Sequence, residues 1–409
     1  MAFQDRSSFA AWLRDIYRDQ IAVTFYDEFL LLNLLEKQKA EMEGSQIVFH
    51  LLAGRNHQVG PRAEGGRLPN VGRQTVKRAV FDPRHNYGRF GVSGPVIKAS
   101  MRGGAPTPAL HNEITRIVLD VRNEVSRQLY GTGSGKFTDA GTTTASTTVN
   151  VASTHLLKPG MPVTIALKST GVITTNGAQE ISDVTGPTTF TVPLAVTTSS
   201  LHAIYPVGGA ATEVADAWNE AVYGLMAICD ERNPSSIDAG VDNYGAIDRS
   251  VAAGAFYRGN RFHNSGTDRD LDEDIMQEAF LACRSRGGGN VDLIIMGDGQ
   301  FRKYGNILKQ DRRFTGYKKY HGGYIALDFN GVPVVNDPLC PPKHVFMATS
   351  STLKLLEETP FELIDDDGSI LARQTGDGAK HQFEGAAYHA GNLGCDNPAA
   401  NAKIVDLNE

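Results

Sequence analysis

Cysteine is scarce in this chain. Cys229, Cys283, Cys340 and Cys395 are the only four among 409 residues, they stand far apart, and none forms a C-x-x-C pair. That excludes a disulfide framework and a zinc ribbon, and a reducing compartment is the simpler expectation. Long apolar runs are missing, so no membrane-spanning helix is expected. The opening MAFQDRSSF places charge where the apolar core of a signal peptide would sit. Basic charge is not in excess: 40 Lys and Arg face 46 Asp and Glu, a formal net charge of −6. This argues against a surface that grips nucleic acid throughout. No internal repeat recurs. The expectation is a soluble protein made inside a cell, with one large or a few modest domains.

Signatures of catalysis are lacking too. GTGSGKF at 131–137 has Tyr130 where a phosphate loop needs its first glycine and Phe137 where it needs Ser or Thr. It also follows a helical pattern rather than a strand. GDGQFR has Arg302 in place of the third glycine of a dinucleotide turn. The acidic runs DRDLDED (268–274) and DDDG (365–368) match no calcium loop and read as a helix start and a turn. The histidines show no metalloprotease or zinc spacing, and no G-x-S-x-G elbow exists. No enzymatic activity, cofactor or metal is expected.

What is present begins with a long amphipathic segment from Pro108 to Tyr130. Leu110, Ile114, Ile117, Val118, Val121, Val125 and Leu129 recur on one face of a helical repeat, and Glu113, Arg116, Asp120, Arg122, Glu124 and Arg127 occupy the others. Arg116 with Asp120, and Glu124 with Arg127, have the spacing of helix-surface ion pairs. Thr107 suits the N-cap, Pro108 the first turn, and Gly131 the left-handed residue that ends a helix. Such a rod, about 35 Å long, needs a sheet or a second layer to lie on.

The neighbouring segments change character abruptly. Residues 1–45 read as two helical pieces, one marked by Phe9, Trp12, Leu13, Ile16 and Tyr17, the other by Phe29, Leu30, Leu32, Leu34 and Leu35. They are either a layer on the core or an arm for a neighbouring subunit. In 46–100, QIVFHLL, TVKRAVF and GPVIKAS read as strands around a Gly-, Pro- and Arg-rich stretch. Arg55, Arg62, Arg67, Arg73, Arg78, Arg84 and Arg89 stand there against only Glu64 and Asp82. A protruding hairpin follows, its arginines facing solvent, an acidic protein surface or phosphate. From Thr138 to about Tyr205, short Thr- and Val-rich alternating segments predict a small all-β module, ornamental or binding. From Gly208 the chain alternates: ATEVADAWNEAVYGLMAICDE and LDEDIMQEAFLACRSR predict helices, VDLIIMG a buried strand, and YIALDFNGVPVVND a hairpin turning at Asn330–Gly331. HVFMATSSTLKLLE and KHQFEGAAYHAGNLG add strands, so the class is α+β.

This order of elements resembles the major capsid proteins of tailed double-stranded DNA bacteriophages. GRNHQVGPRAEGG, RNEVSRQLYGTG, YGAIDRS, IIMGDGQFRKYGNILKQDRRF, FNGVPVVNDPLCPPKHVFMATSSTLKLLE and AYHAGNLGCDNPAANAKI carry the likeness, which covers nearly the whole chain. The resemblance implies an N-terminal arm (1–45), an extended β-hairpin loop (46–100) and a spine helix on a peripheral-domain sheet (101–137). It further implies an inserted all-β module (138–207), a mainly axial domain (208–375) and a C-terminal return to the peripheral domain (376–409). Arg55, Arg62, Arg67, Arg73 and Arg78 become inter-subunit contacts. The implied function is a structural coat subunit forming hexamers and pentamers of an icosahedral virion shell, assembled in the host cytoplasm around DNA contacted non-specifically. A separate scaffolding protein, a portal and a decoration protein are the implied partners. Some relatives cross-link through a loop lysine, and nothing assigns that role to Lys77. An encapsulin-like compartment and a soluble ligand-binding protein using the β-module are the alternatives.

Overall fold

A computed structural model describes residues 30–39, 42–43, 46–68, 70–94, 109–206, 213–231, 243–310, 318–319, 325–365, 371–373 and 382–409. The long helix runs Ala109–Gln128. Ile114, Val118, Val121, Val125 and Leu129 are buried and Ile117 partly so, while the side chain of Leu110 lies outside the described residues. Beneath the helix is a five-stranded sheet in the order Glu36–Lys39, Leu353–Leu363, Gln382–Cys395, Ala372–Arg373, with Arg84–Ser93 also paired to Gln382–Cys395. Phe90 and Val92 pack on Ile114 and Val118, and Ala387 packs on Val121 and Val125. The contact is close at Gly88, where a Cβ would overlap Val121 and lie 3.0 Å from Ile117 Cγ1. The helix end is tied down by Gln128, whose Nε2 donates to Asn86 Oδ1 at 2.8 Å. Glu124 and Arg127 form the expected ion pair.

A second, seven-stranded sheet has the order Asn260–Phe262, Ala402–Ile404, Val345–Ala348, Leu293–Met296, Val332–Asn336, Ile325–Phe329, Lys318–Lys319. Its central strand, Leu293–Met296, is buried along its whole length because both faces are covered. Leu293 and Ile295 join Phe346 and Ala348 in the main core, which also holds Leu30–Leu32. Ile294 and Met296 face a second core with Met276, Ala279 and Cys283 of the helix Glu273–Gly287 and Tyr304 of the helix Asp298–Gln310. The expected hairpin turn is present: Asn330 (φ 52°) and Gly331 (φ 84°) are both left-handed, as a type I′ turn requires.

Residues 138–206 form two small sheets, of three and four strands, closed over their own core of Val149, Val163, Ile165, Phe190, Val192 and Ile204. The chain enters and leaves this module at one place. Leu225 N–H donates to Leu129 O at 2.8 Å, and Val222 N–H donates to Gln128 Oε1 at 3.0 Å.

Several expectations need correction. Glu36–Lys39 is a strand, parallel to Lys354–Glu357, where a continuing helix was expected; pairing with an open sheet edge overrides helix propensity. Among the described residues of ATEVADAWNEAVYGLMAICDE, only Leu225–Ile228 is α-helical. Side chains from elsewhere take its amides: Asn392 Oδ1 accepts Tyr223 N–H at 3.0 Å, as Gln128 does for Val222. A Cβ at Gly224 would stand 2.5 Å from Leu129 O, so the chain is pressed flat there. Trp218 instead covers the outer face of the module, donating Nε1–H to Lys168 O at 3.0 Å. Among the described residues the left-handed glycines after the long helix are Gly133 and Gly135, not Gly131. Arg84–Ser93 is a strand that polar composition concealed, while 95–100, the expected third strand, and the first helical piece lie outside the described residues. Leu353–Leu363 sits in the helix-bearing sheet and Ala402–Ile404 in the other.

Candidate assembly interface

Gln46–Gly54 and Thr75–Phe81 pair antiparallel, with Ile47 opposite Phe81 and Gly54 opposite Thr75. The base of this ribbon is anchored. Ile47, Leu51, Ala79 and Phe81 are buried, Phe81 meets Tyr244 edge-on at 5.1 Å, and Val80 N–H donates to Gly245 O at 2.9 Å. Beyond Gly54 the chain leaves the core. A turn closed by Gly66 N–H to Ala63 O at 2.9 Å marks the tip, and 57–68 are exposed throughout.

The five arginines singled out by sequence all lie exposed on this ribbon. Arg78 stands opposite His50 in the register, and Arg55 and Arg73 flank the closing Gly54–Thr75 pair. Among the described residues no carboxylate pairs with Arg55, Arg62, Arg67 or Arg73, whereas Arg84 and Arg89, nearer the body, bind Glu220 (2.6 Å) and Glu384 (2.7 Å). Sequence reasoning missed the apolar partners of these charges. Leu52, Val59, Leu68, Val71 and Val76 are exposed on the same ribbon, Leu68 by 87% and Val71 fully. Leu52 and Val76 face each other within the strands, whereas Val59, Leu68 and Val71 lie in the Gly- and Pro-rich stretch and follow no strand or helix period.

A second surface lies on the side of the sheet away from the long helix. Along Arg84–Ser93 the even-numbered Asn86, Gly88, Phe90 and Val92 turn inward, so His85, Tyr87 and Arg89 face out. His85 Nδ1 and the Tyr388 hydroxyl are 2.7 Å apart, and the Tyr87 and Tyr388 rings are 4.9 Å apart. Burial, Tyr87, and the carboxylates of Glu358 and Glu362 hold the Tyr388 phenol above its ordinary pKa. This face is therefore aromatic and flanked by acid.

The remaining reactive groups are committed to packing. All four cysteines are buried free thiols, and burial pushes Cys283 and Cys395 up to about 12, so neither supplies a thiolate at neutral pH. Among the described residues no group of three His, Cys, Asp or Glu could hold a metal ion, and no helix is long and apolar enough to cross a membrane.

No protein-family description matches the sequence, and no curated protein matches it. Solved structures do match. The chain is similar to a subunit of the cyanophage A-1(L) capsid asymmetric unit, with TM-score 0.54 and 16% identity over 94% of this chain and 95% of that one. It also matches a structure from Mycobacterium phage Bobi (TM-score 0.47, 10% identity, 92% and 89% covered). A third match is the SrpI encapsulin complex of Synechococcus elongatus (0.44, 9%, 92% and 87%). End-to-end coverage by the cyanophage subunit establishes the architecture: this chain has the fold of that capsid subunit.

Proposed function

We propose that this chain is the major capsid protein of a tailed double-stranded DNA phage, and that its copies associate through the ribbon 46–81. The observation that carries the reading is the ribbon itself. It combines exposed Leu68 and Val71 with Arg55, Arg62, Arg67 and Arg73, which pair with no carboxylate among the described residues, beyond a strand pair that is marginal in water by itself. The occupant is a second copy of the chain, because each copy also carries the complementary surface: an aromatic face of Tyr87 and Tyr388 beside Glu358 and Glu362. The capsid fold supports the same conclusion.

In this reading 46–100 is the extended loop, Ala109–Gln128 the spine helix and 138–207 an insertion, which the adjacency of Leu129 and Leu225 supports. Hexamers and pentamers close an icosahedral virion shell, assembled in the host cytoplasm with a separate scaffolding protein, a portal and a decoration protein. The net charge of −6 suits loose, non-specific contact with packaged DNA. Negative-stain microscopy beside sedimentation tests this directly. Capsomer rings or closed shells are expected, with or without candidate scaffold. A monomer that refuses to assemble with scaffold and crowding agents overturns it.

A further inference from the structure

A cavity of about 320 Å³ opens where the end of the long helix, the β-module and the seven-stranded sheet meet. One wall is Gly131–Lys136, the GTGSGK stretch that fails as a phosphate loop by sequence. Gly131 N–H donates to Gln128 O (2.8 Å) and Phe137 N–H to Ile204 O (2.7 Å). Between them, the N–H groups of Thr132, Gly133, Ser134 and Gly135 donate to no acceptor among the described residues. Gly133 and Gly135 are buried, and a buried amide without an acceptor costs about as much as a lost hydrogen bond. Both are left-handed, at φ 89° and 79°, with right-sided residues between, so the sign of φ alternates along the wall. Successive amides in such alternation form concavities that hold anions. Side chains are excluded: a Cβ on Gly133 would stand 2.8 Å from Tyr223 Cδ1, and one on Gly135 would overlap the Ala217 carbonyl.

Most of the charges around this wall already have partners. Asp139 is held by Lys136 (3.1 Å) and Lys168 (2.9 Å), and Asp268 by Lys343. Asp406 accepts the N–H groups of Asn264 (2.8 Å) and Gly266 (2.9 Å). Arg261, which also lines the cavity, stands 3.8 Å from Asp230 and close enough to Asp406 to lower its pKa, yet its buried Nε donates to nothing among the described residues. The negative end of the long helix opposes an anion here. Its last carbonyls are already capped, Gln128 O by Gly131 and Leu129 O by Leu225.

We propose that this cavity binds a phosphate group, as the free anion or a phosphomonoester, through the amides of Thr132–Gly135 and the guanidinium of Arg261. The tetrahedral oxygens of phosphate supply several acceptors at once, and its charge pairs with Arg261. Occupancy would fasten the β-module to the body at their shared seam.

Hydrogen exchange read by mass spectrometry on the full chain tests this, in phosphate-free buffer at constant ionic strength. Inorganic phosphate is expected to slow exchange over 132–135 at least tenfold, while added chloride leaves it unchanged. Arg261→Gln is expected to weaken phosphate binding at least tenfold by calorimetry. Equal protection by adenosine monophosphate identifies a monoester ligand, and protection by phosphate alone identifies the free anion. Unchanged exchange at 132–135 in the parent protein overturns the proposal, whether or not the variant folds. So does parental affinity in Arg261→Gln.

Discussion

Two excursions leave the body of this molecule, and they are built in opposite ways. The module at 138–206 closes two sheets over its own core, where Val149, Phe190 and Ile204 are fully buried. The ribbon past Gly54 turns Leu68 and Val71 to solvent and buries nothing between them. The module is built of strands, whereas the ribbon is paired only at its base and the described residues of 55–74 form no strand; strand content alone does not explain the difference. What does is the number of apolar faces that find a partner within the chain. The module's alternating threonines and valines place one face of each strand inward, and two sheets satisfy each other. The ribbon's glycine, proline and arginine leave a single layer, and a single layer is completed only by another molecule.

The largest way to sharpen this contrast is Phe190→Ala, which empties the module's core. A loss of about 3–5 kcal/mol is expected, confined to a separate module transition in scanning calorimetry. If the whole chain instead melts in one earlier step, the module is not an independent unit. Next is Gly88→Ala in the body, where the added methyl meets Val121 and Ile117. Overpacking of this kind costs about 1–3 kcal/mol. It should lower the main transition and leave the module's in place.

Asp406, at the seam between the two, gives a smaller effect with a pH signature. Burial alone would raise its pKa, but the N–H groups of Gly266 and Asn264, with Arg261 and His263, outweigh it and hold the carboxyl below its ordinary 3.8. A depressed native pKa means stability that is full above the unfolded value and lost as pH falls through the native one. Asp406→Asn, which tolerates the left-handed backbone at φ 59°, should cost about 1 kcal/mol at neutral pH in this half-exposed setting. The difference from the parent should vanish in denaturation curves near the foot of the acid range. The smallest effect on the isolated subunit is expected in the ribbon. Leu68→Ser with Val71→Ser, or Arg67→Glu with Arg73→Glu, should leave subunit stability within about 0.5 kcal/mol yet abolish rings and shells in sedimentation. Normal assembly by both pairs would erase the contrast.

Periodic segments were the legible part. The face running through Ile114, Val118, Val121 and Val125, the strand Leu293–Met296, the Asn330–Gly331 turn and the strands of the module follow from side-chain spacing and turn chemistry, which act over a few residues. The exposed arginines of the ribbon were visible as composition, but the exposed Leu68 and Val71 among them were not, because exposure is a property of what fails to pack.

Tertiary structure decided the rest. Glu36–Lys39 became a strand because an edge of Leu353–Leu363 was open to it, and 213–224 lost its helix because Gln128 and Asn392 captured the amides that a helix would have used. Arg84–Ser93 owes its inward face to a helix pressed onto Gly88. The glycine loop at 131–136 fails every local pattern for a phosphate site, and it meets Arg261 only because the chain returns to the end of the long helix after the module. Local sequence sets which backbone conformations are cheap. Which hydrogen-bond donors and apolar faces are left over depends on partners more than a hundred residues away, and the sites proposed here are made of those leftovers.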